Sequence, residues 1–123
     1  MEEKKPMSLF FISAEAEAAA KMAWRPPADI YRSRQGWVVK IELAGVRPED
    51  VNVMVSGSEL FVSGVRRDKF VEEGWSHYSM EIAYSRFERT IELPCDIERA
   101  GVSVEWHNGL LLVRVNMNQE EEK

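Results

Sequence analysis

The sequence predicts an all-β fold, an antiparallel β-sandwich, and three observations carry that prediction. Val102, Val104 and Trp106 alternate with Ser103, Glu105 and His107, the period-two pattern of a half-buried strand. Asn108-Gly109 then supplies residues that tolerate positive φ, as a tight hairpin turn requires. Leu110, Leu111, Leu112 and Val113 return from it, apolar on both faces. Such a strand is covered twice, by a second sheet or by a partner chain. Upstream, further strand patterns recur at intervals of about 8–14 residues with turn residues between them.

Size and composition narrow the function. The chain has 123 residues, enough for one domain with short arms. Its net charge is -5 and its basic residues are scattered, which argues against nucleic acid as a partner. One cysteine, Cys95, excludes an intrachain disulfide framework and fits a reducing compartment. No apolar run approaches the roughly 20 residues of a membrane-spanning helix. Leu9, Phe10, Phe11 and Ile12 follow Lys4 and Lys5, but the run is shorter than the ~7–15 residues of a signal-peptide core, and Glu15 and Glu17 interrupt its continuation. The expected location is the cytoplasm, with no membrane partner.

In chain order, residues 1–23 form an N-terminal arm, partly helical or disordered. Residues 14–23 are rich in alanine, and Glu17 and Lys21 have the spacing and orientation of a helical ion pair. A helix that short is marginal alone. The alternatives are a disordered leader and a sticky arm that becomes helical on docking. Pro26 and Pro27 cannot continue the helix and mark the start of a domain over 24–115. A first strand lies around 28–33. Gln35-Gly36 turns into a second over 37–43, with Val39, Ile41 and Leu43 on one face. Pro48 stands near the start of a polar connection, the place for a single helical turn. Val51, Val53 and Val55 alternate in a third strand, and Gly57-Ser58 turns into a fourth over 59–64. Residues 66–86 are a long charged loop with a short strand around 77–80; loops beyond about 12–15 residues are usually functional. Phe87, Arg89, Ile91 and Leu93 share one face of the next strand, which Pro94 stops. After the hairpin, residues 116–123 form a short polar tail.

No constellation points to catalysis. His77, His107 and Cys95 lie in separate elements, and no metal-ligand spacing occurs. Glu72-Glu73 and Glu49-Asp50 are adjacent carboxylates of the kind that usually stay solvated. The glycines stand singly in turns, so no phosphate cradle forms. The expectation is a non-enzyme with no cofactor and no metal. Arg89 is the exception worth weighing, a charge on an apolar face. Either the pleat is locally different and Arg89 is exposed, or its guanidinium is buried or interfacial and pairs with a carboxylate, for which Glu81 is the attractive candidate.

Taken in register, Ala28-Asp-Ile-Tyr31, Leu43-Ala-Gly45, Pro48-Glu-Asp50, Leu60-Phe-Val-Ser-Gly64, Phe87-Glu-Arg89 before Leu93-Pro94, and Asn108-Gly-Leu-Leu111 resemble the alpha-crystallin domain of the small heat-shock proteins, with the long loop of the bacterial and plant members. Each motif is weak alone; six in order over about 24–115 are specific. The resemblance implies an immunoglobulin-like sandwich and an ATP-independent holdase that binds unfolding client proteins and keeps them from aggregating. It implies a homodimer made by exchange of the loop strand, with Tyr78, Ser79, Met80, Glu81 and Arg89 at the interface. It also implies an edge groove lined by Val53, Val55, Val104 and Trp106 that takes an extended peptide; the bland alternative makes these ordinary core residues. The arm residues Leu9, Phe10, Phe11 and Ile12 would bind clients.

Several positions depart from the family pattern: Ala44 stands for a proline, Ser85 for a glycine, Val104 for an alanine, and Asn116-Met117 for Pro-Lys. No Ile-x-Ile follows Val115, and three consecutive glutamates would lose hydration in an apolar slot. The expectation is therefore a dimer, with any larger species small and polydisperse. A second reading is a module like the CS-domain co-chaperones, which binds one folded partner; the long loop and Arg89 favour the first.

Overall fold

The computed structural model describes residues 24–118. The expectations for the arm, including Leu9, Phe10, Phe11 and Ile12, lie outside the described residues. Seven strands form two antiparallel sheets: β1 (Ala28–Arg32), β2 (Gly36–Glu42), β3 (Val51–Ser56), β4 (Glu59–Val65), β5 (Arg86–Glu92), β6 (Gly101–His107) and β7 (Leu110–Asn116). One sheet runs β1-β2-β7-β6 and the other β3-β4-β5. The immunoglobulin-like sandwich read from the sequence is thus the observed architecture, and the strand boundaries fall within one or two residues of those expected. Pro48–Asp50 forms a single 3-10 turn.

The alternation explains the packing. Val39 and Ile41 of β2, Leu60 and Val62 of β4, and Leu111 and Val113 of β7 turn inward and are essentially inaccessible. Each such side chain contributes about 1.5–3 kcal/mol by leaving water. Phe87 and Ile91 of β5 and Leu93 and Ile97 beyond it complete the core. At the hairpin, Asn108 and Gly109 adopt φ of 47° and 82°, so the turn residues do what their backbones permit. The outer face of β7 is half-covered: Leu112 lies in register between Lys40 and Glu105, whose long stems flank it.

Three details correct or sharpen the sequence reading. First, no strand forms over residues 77–80; the loop between β4 and β5 carries no ladder in the single chain. A strand exists only by pairing, and among the described residues no edge pairs with the loop. Second, Val102 and Val104 pair with the buried Val115 and Val113 yet are 38% and 48% exposed. β6 is the last strand of its sheet, so nothing covers them from the side. Third, Asn116 closes β7, and Met117 donates its backbone N–H to the Gln35 carbonyl at 2.8 Å and packs on the core. The tail therefore departs later than residue 116.

Candidate functional site

Two regions gather the features singled out in the sequence: the Arg89 side of the sandwich with the long loop beside it, and the opposite pair of open edges.

Arg89 sits in β5 opposite Val62 of β4, on the inward-facing side, and is half-buried. Of the two readings, exposure is excluded. Its Nη1 donates to the Pro26 carbonyl oxygen at 2.6 Å, while Nε is buried and finds no partner among the described residues. Burial, and then repulsion from Arg25, lower its pKa. The expected carboxylate is missing in the single chain: among the described residues none pairs with Arg89, and Glu81 is exposed on the loop. A desolvated guanidinium with a free N–H is an acceptor-seeking group.

Arg66 was missed by the sequence reading, which saw only the start of a charged loop. Its Nε donates to the Ala83 carbonyl at 2.8 Å and its Nη1 to the Ala44 carbonyl at 3.1 Å. Its guanidinium lies 3.7 Å from the Trp24 ring centroid and 5.9 Å from that of Tyr84. Trp24 in turn meets Phe87 edge-on at 5.0 Å. Arg66 thus ties both ends of the loop to the segment entering the domain. The only trace in the sequence is an arginine directly after a strand, which is not a distinguishing signal.

The loop itself is rich in exposed apolar surface. Phe70, Trp75 and Ile82 are 77%, 56% and 60% exposed, and Tyr78 is fully so. Phe70 and Trp75 stack edge-to-face at 6.1 Å. With Val71, Tyr78, Met80 and Tyr84 they line a cleft of about 650 Å³ whose rim includes Asp68 and Glu81. The structure brings Tyr78, Ser79, Met80 and Glu81 to this one cleft, but not to Arg89.

On the other side lie the open edges. The chain entering β1 packs on β5, through Pro26 on Arg89 and Trp24 on Phe87. β1 and β5 therefore border one flank of the sandwich, and β6 and β3, the edge strands at the other ends of the two sheets, border the opposite flank. Val53 and Val55 of β3 and Trp106 of β6 are partly buried against the core, and Val104 is open. On the outer face of β6, the Arg114 guanidinium hydrogen-bonds Glu105, with His107 3.5 Å from the same carboxylate. The Arg114 hydrogen bond holds the Glu105 carboxyl below the usual range. A depressed carboxyl stabilises the fold above its unfolded pKa, and that contribution is lost as pH falls through the folded value. Side-chain carbonyl NMR titration should show the Glu105 midpoint rising in Arg114→Gln; an unchanged midpoint would refute the coupling.

The sequence model of the Hsp20/alpha crystallin family matches residues 29–123. The chain belongs to that family. Its members are non-enzymatic chaperones, in agreement with the sequence reading. Heat shock protein 16 of Schizosaccharomyces pombe is 33% identical over 91 residues, covering 72% of this chain and 63% of the relative. Small heat shock protein C2 of Rickettsia felis is 24% identical over 95 residues, covering 77% and 62%. Among solved structures, heat shock protein 16.0 from Schizosaccharomyces pombe superposes with a TM-score of 0.67 at 30% identity, covering 76% of this chain and 86% of that one. The chain spans 62%, 58% and 45% of three curated relatives, the Rickettsia protein, a Stigmatella aurantiaca spore protein and a wheat chloroplastic small heat shock protein. Among the described residues, no group of His, Cys, Asp and Glu is placed to hold a metal, and no helix is long and apolar enough to cross a membrane.

Proposed function

We propose that the chain is an ATP-independent holdase that binds non-native proteins through exposed apolar surface, and that it does so in the cytoplasm, where the free, exposed Cys95 would stay reduced. One observation carries the reading: the β4–β5 loop leaves Phe70, Trp75, Tyr78 and Ile82 in water beside open sheet edges. Contiguous surface of that kind marks an interaction site. Light scattering of a heat-labile client without nucleotide tests it. Aggregation should fall with rising chain concentration; no suppression at a large excess would refute the reading.

The working unit is a homodimer made by loop exchange. Residues 77–82 alternate Tyr78, Met80 and Ile82 with His77, Ser79 and Glu81, a strand pattern without an edge of its own. β1 offers such an edge, with Ile30 and Tyr31 about half exposed. A carboxylate from the partner, with Glu81 as candidate, would meet the free N–H of Arg89. Small polydisperse oligomers would grow from this dimer.

Val53, Val55, Val104 and Trp106 form a groove for an extended apolar peptide on the flank between β3 and β6. The openness of Val104 supports this against the ordinary-core alternative. A peptide carrying Ile-x-Ile should shift the amide resonances of these four residues and leave those of β1 in place; no shift at saturating peptide removes the groove. The arm residues Leu9, Phe10, Phe11 and Ile12 are a further client surface.

A further inference from the structure

Three arginines line one hollow beside β5, the edge strand of its sheet. Arg25, Arg86 and Arg89 border a space of about 680 Å³, within the roughly 300–1,000 Å³ of small-ligand sites. Glu88 is the one carboxylate among the lining residues, so three guanidiniums face a single opposite charge. None of the three forms an ion pair among the described residues. Arg25 is fixed from both sides: Trp24 packs edge-on against Phe87, and the Pro26 carbonyl accepts from Arg89 Nη1. Arg25 is thereby kept near enough to Arg89 for their repulsion to help lower the Arg89 pKa. Asn52, Ser63 and Thr90 add amide and hydroxyl donors to the same lining.

We infer that this hollow binds a small polyvalent oxyanion of the inorganic pyrophosphate class. Guanidinium forks match the oxygens of phosphate groups, and two linked phosphates offer negative charge to several guanidiniums at once, which a single carboxylate cannot. At Arg89, Nη1 is committed to Pro26 and Nε is shut from water, so Nη2 is the donor left for the ligand. The neighbouring Nε–H is the one that a partner's carboxylate would meet in the homodimer. Two anions on one guanidinium edge repel each other. Occupation of the hollow therefore opposes dimerisation. That consequence rests on the proposed dimer; the site itself rests on the hollow alone.

Titration of the full chain with pyrophosphate tests both, at constant ionic strength and against sodium chloride. The side-chain Nε–H resonances of Arg25, Arg86 and Arg89 should shift saturably in ¹H–¹⁵N spectra. Arg25→Gln with Arg86→Gln, both at exposed positions outside the core, should weaken that binding about tenfold or more. Sedimentation across a dilution series reads the dimer. At pyrophosphate about ten times above its own dissociation constant, that of the dimer should rise about a hundredfold, because each separated chain gains a site that the dimer lacks. No saturable shift, or the same shift in sodium chloride, overturns the site. Saturable shifts with an unchanged dimer overturn the competition. A chain that is monomeric without the anion removes the dimer reading and the competition with it, and the arginine shifts then decide the site.

Discussion

Replacing Gly64 with valine should lower the melting temperature by well over 10 °C. Gly64 lies in β4 between Val51 of β3 and Phe87 of β5. A Cβ there would stand 2.2 Å from the Asp50 carbonyl oxygen and 2.8 Å from Phe87 Cζ. The first neighbour is backbone of the 3-10 turn directly before β3, and the second is a core ring that also supports Trp24. Neither can swing aside as a flexible side-chain end would. Overpacking at a well-filled site costs about 1–3 kcal/mol and more when backbone must shift. For a domain of this size each kcal/mol moves Tm by roughly 4–8 °C. Thermal unfolding by circular dichroism checks this, and a drop below about 3 °C would mean that β3, β4 and β5 do not pack closely at Gly64 as described.

Arg89→Met should separate fold from assembly. Among the described residues the guanidinium is partly desolvated, repelled by Arg25, and bonded only to the Pro26 carbonyl. An apolar side chain of similar length removes that desolvation cost, and such exchanges at buried charges are neutral or stabilising by up to about 4 kcal/mol. Loss of the hydrogen bond to Pro26 offsets about 1 kcal/mol of this. Stability measured on dilute monomer should therefore stay within about 1 kcal/mol of the parent or rise. The dimer should weaken, because truncating one partner of an interfacial charge pair costs about 2–5 kcal/mol, at least thirtyfold in dissociation constant. Native mass spectrometry across a dilution series reads the second quantity. A dimer of unchanged affinity would remove Arg89 from the interface, and a large loss of monomer stability would make it a structural residue instead.

The sandwich was legible because its signals are local. Val39, Ile41, Leu60, Val62, Leu111 and Val113 alternate with polar neighbours or are framed by turn residues, and each strand needs only its own period to be recognised. Arg89 was legible in the same way, as an interruption of such a period. A partner for it was not, since Glu81, the carboxylate the sequence offers, does not pair with it among the described residues. Arg66 was invisible for a related reason. Its acceptors are the backbone carbonyls of Ala83 and Ala44, and backbone atoms have no letter in a sequence. The short strand expected around 77–80 does not form in the single chain, because a period states a capacity to pair and does not supply the edge.

The β4–β5 connection has a consequence for how the chain tolerates change over evolutionary time. β4 and β5 pair fully in register from Glu59 with Glu92 to Val65 with Arg86, and everything between them leaves and returns at one corner, where the Arg66 N–H bonds the Ser85 carbonyl at 3.0 Å. Closing such an excursion costs entropy that grows only with the logarithm of its length, about 0.6 kcal/mol for each doubling. Insertions and deletions inside it therefore tax folding very little, so long as Arg66 still fastens the corner. The length and content of the loop can therefore change while the sandwich core beneath it keeps its packing.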